Sequence, residues 1–153
     1  MGVSLWPQEE STVDRILLVD DDPEVLTGLV LLLGSVYDVR TAGDGRQALE
    51  ILETVPIDLV LLDLYMPRMG GVELLQEMRG RHMTVPVILV SGRLDLLAQA
   101  REMGADDCLA KPFRVEKLES MIAQLLRSAR DSQTDEASAD RGAPKRASAK
   151  KGP

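Results

Sequence analysis

Cysteine and histidine are almost absent from this chain of 153 residues, which holds one of each, Cys108 and His82. A single cysteine closes no internal disulfide, and one histidine beside it supplies none of the Cys/His sets that zinc sites use. A reducing, cytoplasmic setting is expected. Long apolar runs are missing as well. The most apolar stretch, Leu29–Leu33 within Val25–Leu33, is far shorter than the roughly 18 residues a membrane span needs, so it reads as a buried helix and no membrane span is expected. The start of the chain has Glu9, Glu10 and Asp14 but no basic residue, unlike the charged start and apolar core of a signal peptide. Positive charge is the last deficit. The net charge is −7, and because residues 131–153 carry four acids against five bases, residues 1–130 carry −8. Such a body repels nucleic acid, whose affinity for proteins rests on cationic contacts to phosphate, so any nucleic-acid role would fall to the tail.

What is present is the material of one ordinary core, with 44% hydrophobic residues in a chain of single-domain length. Five short apolar runs read as strands: Ile16–Val19, Tyr37–Thr41, Leu59–Leu62, Val87–Val90 and Cys108–Ala110. Between and after them, apolar residues recur at helical spacing, as in Val25/Leu29/Leu32, Val72/Leu75/Met78 and Leu118/Ile122/Leu125. The pattern is (βα) five times. Strands apolar on both faces, such as Leu59–Leu62 and Val87–Val90, belong in a parallel sheet covered by helices on each side. Pro23 suits a first helical position, Gly34 and Gly104 can close helices, and Pro56 and Pro86 precede strands.

Large apolar side chains stop after Arg130. The expected division is an N-terminal extension (1–13), a globular domain (14–130) and a disordered tail (131–153) that is acidic to Asp140 and basic from Arg141. The tail reads first as a solubilising segment, with weak electrostatic contacts to an acidic partner or nucleic acid as the sharper alternative.

The residues that end the strands carry the chemistry. The first strand runs into Asp20-Asp21-Asp22, the third into Asp63, the fourth into Ser91 and the fifth into Lys111-Pro112. In an open α/β sheet the carboxyl ends of the strands form the ligand crevice. Asp20, Asp21 and Asp63 would bring three negative charges together, which forces protonation unless something compensates. A divalent cation and Lys111 balance them, and hard oxygen ligands suit Mg²⁺. A carboxylate in such a pocket can attack a phosphoryl group, and Asp63 is the candidate nucleophile. The cation at Asp21, Lys111 and the Ser91 hydroxyl would each meet one phosphoryl oxygen. Asp22, before Pro23, reads as a helix cap. Cys108 reads as a small buried hydrophobe and His82 as a surface residue.

The segments Ile16-Leu-Leu-Val-Asp-Asp-Asp-Pro, Asp58-Leu-Val-Leu-Leu-Asp-Leu-Tyr-Met-Pro, Val87-Ile-Leu-Val-Ser-Gly and Gly104-Ala-Asp-Asp-Cys-Leu-Ala-Lys-Pro-Phe together resemble the receiver domain of two-component response regulators, the CheY-like superfamily, over about residues 14–128. The resemblance implies a flavodoxin-like, doubly wound parallel sheet of strand order 2-1-3-4-5. It implies Asp20 and Asp21 as the acidic pair, Asp63 as phosphoacceptor, Ser91 as switch hydroxyl, Lys111 as the conserved-type lysine, the Tyr65 backbone carbonyl as a metal ligand and a cis Lys111–Pro112 bond. The donor would be a histidine kinase or a histidine phosphotransfer protein, and the surface of the fourth helix, fifth strand and fifth helix would turn toward a protein target. Self-phosphorylation from small donors and slow self-dephosphorylation are the most catalysis expected. Because little chain follows Arg130, no DNA-binding domain is expected.

Three features depart from the family pattern, of which Gly70, in a place that is often acidic before Gly71, affects only loop flexibility. Cys108 stands where an aromatic side chain usually reports the movement of the switch hydroxyl. Tyr65, with Gly92 and Arg93, flanks the site where access of water to the acyl phosphate is controlled, and a bulky Tyr65 beside a cationic Arg93 predicts a persistent phosphoryl group. Two other readings stand beside this one. A receiver-like binding module would work without phosphorylation. A phosphatase of the haloacid dehalogenase type would use Asp20 and Asp22, but Glu24 does not fit its pattern, and a cap domain is lacking.

Overall fold

The computed structural model describes residues 13–142, with side chains as far as residue 133. Its elements alternate: β1 (Arg15–Val19), α1 (Pro23–Leu33), β2 (Asp38–Ala42), α2 (Gly45–Thr54), β3 (Leu59–Asp63), α3 (Gly71–Gly80), β4 (Val87–Ser91), α4 (Leu94–Leu97), β5 (Asp107–Ala110) and α5 (Val115–Gly142). All strand pairs are parallel, as the strand pattern predicts, and the order is β2-β1-β3-β4-β5, the doubly wound sheet that the family resemblance implies. Successive side chains point to opposite faces of a strand. Leu17, Val19, Val60, Leu62, Val87 and Leu89 therefore enter one core with residues of α2 and α3, whereas Ile16, Leu18, Leu59, Leu61, Ile88 and Val90 enter another with α1 and α5. Each fully buried leucine or isoleucine in these layers contributes about 1.5–3 kcal/mol, which makes the sheet the rigid part on which the strand ends are mounted.

Local chemistry fixes where the helices begin. Asp22 caps α1, its side chain accepting the Glu24 amide N–H at 2.9 Å, and Pro23 occupies the first turn. Asp44 caps α2 by accepting from the Gln47 amide at 2.9 Å, while Gln47 Oε1 takes the Gly43 amide at 2.7 Å, a reciprocal arrangement at the helix start. At Gly71 the backbone approach is close: a Cβ there would lie 2.3 Å from the Asp63 carbonyl oxygen and 2.9 Å from Leu64 Cα. Only glycine lets α3 start directly against the end of β3.

Two elements differ from the sequence reading. The fourth helix is regular only over Leu94–Leu97, and the chain then continues to Gly104 through i−3 hydrogen bonds such as Ala100 to Leu97 (3.1 Å) and Gly104 to Arg101 (3.0 Å). The buried residues here, Leu97 and Ala100, are three apart, which matches the three-residue turn of a 3₁₀ helix better than 3.6. The tail also does not begin as disorder after Arg130, because α5 runs unbroken to Gly142. Gln133, Glu136, Ala137 and Ala139 favour helix, and no glycine or proline intervenes before Gly142. Extending a formed helix requires no new nucleation. Residues 1–12 of the expected extension and residues 143–153 of the tail lie outside the described residues.

Candidate functional site

β1 lies between β2 and β3, so the chain's direction of winding reverses there and a crevice opens between the carboxyl ends of β1 and β3. The ladder holds the residues just past the strands: the Asp20 amide donates to Ala42 (3.1 Å), Leu64 to Val90 (3.3 Å) and Lys111 to Ser91 (2.9 Å). Asp20, Asp63, Ser91 and Lys111 are thus fixed by backbone hydrogen bonds at one edge. One carboxylate oxygen from each of Asp20, Asp21 and Asp63 lies within 4.8 Å of the others.

Lys111 Nζ donates to Asp63 Oδ1 at 3.0 Å and lies 3.8 Å from Asp20 Oδ2. Burial pushes the Asp20 carboxyl above its ordinary value; the Asp22 amide opposes this, and the charges of Asp63 and Asp21 add to it. Burial alone would lower the Lys111 ammonium, but its hydrogen bond to Asp63 and the charges of Asp63, Asp20 and Asp21 outweigh that and hold it above its ordinary value. Three clustered carboxylates against one ammonium leave excess negative charge in a half-buried site. That donor set, all oxygen and mostly carboxylate, fits a hard divalent cation such as Mg²⁺. Beside these groups a small void of about 30 Å³ is lined by Leu18, Leu61, Val90 and Phe113 together with Asp20, Asp63 and Lys111.

Ser91 is 2% exposed and ends β4, with its Oγ accepting the Arg93 amide N–H at 3.0 Å. Arg93 carries its guanidinium to the rim, where it donates to the Tyr65 phenol oxygen at 3.1 Å and forks onto Asp95 at 2.7 and 3.0 Å. Tyr65 is half exposed. Gly92 between Ser91 and Arg93 has open space around it. The Lys111–Pro112 bond is cis. Cys108 is half-buried, beside Leu89 in the β4–β5 ladder. Asp22 caps α1, as the sequence predicts.

The sequence reading missed Asp44 and Arg68. Asp44 is buried and pairs with Arg68 Nε at 2.8 Å, tying the start of α2 to the loop after β3. The Asp44-x-x-Gln47 spacing signals the cap, but nothing local signals Arg68. A larger groove of about 790 Å³ lies at the opposite edge, lined by Asp14, Asp58 and Asp106 among others. Its acids are held structurally: Asp14 pairs with Arg130, Asp58 accepts the Arg15 amide and Asp106 pairs with Arg79. The chemistry therefore stays at the carboxyl edge. Among the described residues no helix is long and apolar enough to cross a membrane.

Comparison with known proteins places this geometry. The family model described as the response regulator receiver domain matches residues 16–123. Transcriptional regulatory protein CpxR of Escherichia coli (strain K12) is 44% identical over 119 residues, 75% of this chain and 50% of that protein. DNA-binding response regulator MtrA of Mycolicibacterium smegmatis is 37% identical over 120 residues, 76% of this chain and 52% of that protein. Among solved structures, the signal receiver domain of a putative Luxo repressor protein from Vibrio parahaemolyticus superposes with a TM-score of 0.76 at 28% identity, covering 81% of this chain and 98% of that one. The chain spans about half the length of the curated relatives it matches. These relatives correct one expectation. The absence of a DNA-binding domain rested on how little chain follows Arg130, yet the matched stretch is only about half of each of these proteins, which are named as transcriptional or DNA-binding regulators. The length after Arg130 carries no such conclusion.

Proposed function

This chain belongs to the response regulator receiver-domain family, and on that premise we propose that Asp63 accepts a phosphoryl group from a histidine kinase or a histidine phosphotransfer protein, making the domain a phosphorylation-dependent switch in a two-component phosphorelay. The observation that carries the reading is the convergence of Asp20, Asp21, Asp63 and Lys111 at one sheet edge, with Lys111 bonded to the proposed acceptor. In the transfer, an Asp63 carboxylate oxygen forms a P–O bond as the donor's P–N bond breaks, and the departing imidazole nitrogen keeps the electron pair and takes up a proton. Asp20, Asp21, Asp63 and the Tyr65 backbone carbonyl are the groups that would hold Mg²⁺, which when bound neutralises the carboxylates and the phosphoryl oxygens. Lys111 binds and orients one phosphoryl oxygen, and the Ser91 hydroxyl donates to another.

The same site would take phosphate from a small acyl phosphate and release it slowly to water. Residues 14–130 form the switching unit, with α5 continuing beyond it, and the surface of α4, β5 and α5 changes with phosphorylation. The names of CpxR and MtrA support transcription as the output served, in a cytoplasmic setting. Incubation with Mg²⁺ and a small acyl phosphate donor, followed by intact mass measurement, tests the reading. Wild type is expected to gain one phosphate and Asp63→Asn none; no gain in wild type, or an equal gain in both, overturns it.

A further inference from the structure

Cys108 leaves the fifth strand without the aromatic side chain that would report movement of Ser91. It is half-buried in the ladder beside Leu89, and nothing at that position can swing between an inner and an outer place as a large ring does. Yet an aromatic ring does stand at the rim of the site, and hydrogen bonds link it to Ser91 through a single residue. Ser91 Oγ accepts the Arg93 amide N–H at 3.0 Å, and Arg93 Nη1 donates to the Tyr65 phenol oxygen at 3.1 Å. We propose that Tyr65 is the aromatic reporter of this switch, coupled to Ser91 through Arg93, so that phosphorylation is read out on the β3–α3 side of the site together with the start of α4. The proposal rests on the reading of Asp63 as phosphoacceptor.

Phosphorylation would deprive the Arg93 amide of its acceptor. A Ser91 hydroxyl that turns to donate to a phosphoryl oxygen on Asp63 moves its oxygen away from the Arg93 amide, which then needs another partner. Gly92 lies between the two, with no atom within 4 Å of where a Cβ would stand, so the backbone can absorb the change in dihedral angles. Arg93 is also the residue before α4, and its carbonyl accepts from Leu96 and Leu97, each at 3.2 Å. Only four residues of α4 are regular helix, so its first turn has few cooperative bonds to resist displacement. Movement of Arg93 therefore shifts two exposed groups at once, Tyr65 and the 68%-exposed Leu94. An aromatic, an arginine and a leucine on one rim suit a protein surface. Arg93 is a positioning residue here; it acts through Ser91 and Tyr65.

The chain has two tyrosines, Tyr65 and Tyr37. Tyr37 precedes β2, at the opposite edge of the sheet, and serves as an internal control. With tyrosine rings labelled with ¹³C, the protein is titrated with Mg²⁺ and beryllofluoride, a mimic of the acyl phosphate whose bound form is seen separately by ¹⁹F resonance. In wild type the Tyr65 ring resonance is expected to move to a new position at saturation while Tyr37 stays. In Arg93→Ala with beryllofluoride bound, Tyr65 should start at the position of a free phenol and lose most of the shift; Arg93→Lys, which keeps one donor, should recover part of it. A full wild-type shift in Arg93→Ala, or no Tyr65 shift in wild type with beryllofluoride bound, overturns the proposal. Absence of bound beryllofluoride in wild type instead overturns the phosphoacceptor reading and this proposal with it.

Discussion

The Lys111 ammonium donates a 3.0 Å hydrogen bond to Asp63 Oδ1, joining the carboxyl ends of β5 and β3 although β4 lies between them. The bond holds the proposed nucleophile in place, and under the proposed function the same cation would meet the charge that grows on the transferred oxygens. Loss of one such preorganised donor costs roughly 10²–10³ in rate at comparable sites. Lys111→Ala is therefore expected to slow phosphate uptake from a small acyl phosphate by about 10²-fold. Time-resolved intact mass reads this, and an unchanged rate would separate Lys111 from the transfer.

Asp20, Asp21 and Asp63 place like charges within 4.8 Å of one another, and the metal-free fold bears that repulsion. Bound Mg²⁺ should relieve it. A ligand that binds only the folded state adds about 2.7 kcal/mol at a hundredfold excess over its Kd, or roughly 5–10 °C in Tm for a domain of this size. Asp21→Ala should lose most of that gain. Asp20→Asn should also lose it, but with a higher Tm than wild type in metal-free buffer because one buried charge is gone. Thermal unfolding with and without Mg²⁺ measures both effects; an equal Mg²⁺ response in all three proteins would place the cation elsewhere.

Gly71 shows how tightly Asp63 is held from behind. A Cβ there meets the Asp63 carbonyl oxygen at 2.3 Å, a backbone atom that cannot rotate aside. Gly71→Ala is expected to cost about 1–3 kcal/mol and to slow phosphate uptake as well, since relief requires the end of β3 to move. Gly80→Ala, with open space at its Cβ position, should do neither. Urea unfolding and mass measured on the same samples make the comparison, and equal behaviour of the two variants would count against the tight junction.

The sheet was legible in the sequence because its signal is local: Leu59–Leu62 and Val87–Val90 are apolar at every position, and only a strand covered on both faces makes use of that. The site was legible because four of the five strands, all but β2, run into a charged or hydroxyl residue, and parallel strands bring such ends to one edge. What was hidden is non-local or marginal. Arg79 donates to the carbonyl oxygens of Met83, Val85 and Gly104 and to Asp106, a junction whose farther partners lie in segments with no pattern of their own. The Arg68–Asp44 pair likewise links two loops. The end of α5 was misread because composition weighs Ser, Asp and Lys as disorder, while propagation from an existing helix needs only modest formers. The irregular α4 follows from its burial spacing of three, which two leucine-rich turns do not reveal.

Asp44 offers a pH-dependent test. The Gln47 amide, and with it the Arg68 guanidinium, hold the Asp44 carboxyl below its ordinary value. A carboxylate lowered in the folded state stabilises it at pH above the ordinary carboxylate value, and that contribution disappears as pH falls through the lowered value. Asp44→Ala should cost about 1–2 kcal/mol at neutral pH. Asp44→Asn should cost less, since Asn also caps and Arg68 is largely exposed. The gap between wild type and Asp44→Ala should narrow on acidification below the ordinary value. A gap that is independent of pH would mean the carboxylate charge plays no part.

Tyr65, two residues after Asp63, and Arg93, two residues after Ser91, meet in a hydrogen bond. Their 3.1 Å hydrogen bond and the fork of Arg93 onto Asp95 hold a ring and a guanidinium together beside the ends of β3 and β4. Loss of phosphate to water needs an in-line position, and a bulky rim there, even one that shifts on phosphorylation, reduces how often water occupies it. Tyr65→Ala is expected to shorten the lifetime of the phosphorylated protein several-fold, with little change in the rate of uptake, because its phenol bonds Arg93 while Lys111 is the group bonded to Asp63. Arg93→Ala should act in the same direction and more weakly if the ring alone blocks water, or equally if Arg93 is what holds the ring. Intact mass followed after removal of the donor gives the lifetime in each case. Phosphate lost as slowly from Tyr65→Ala as from wild type would show that the rim does not govern water.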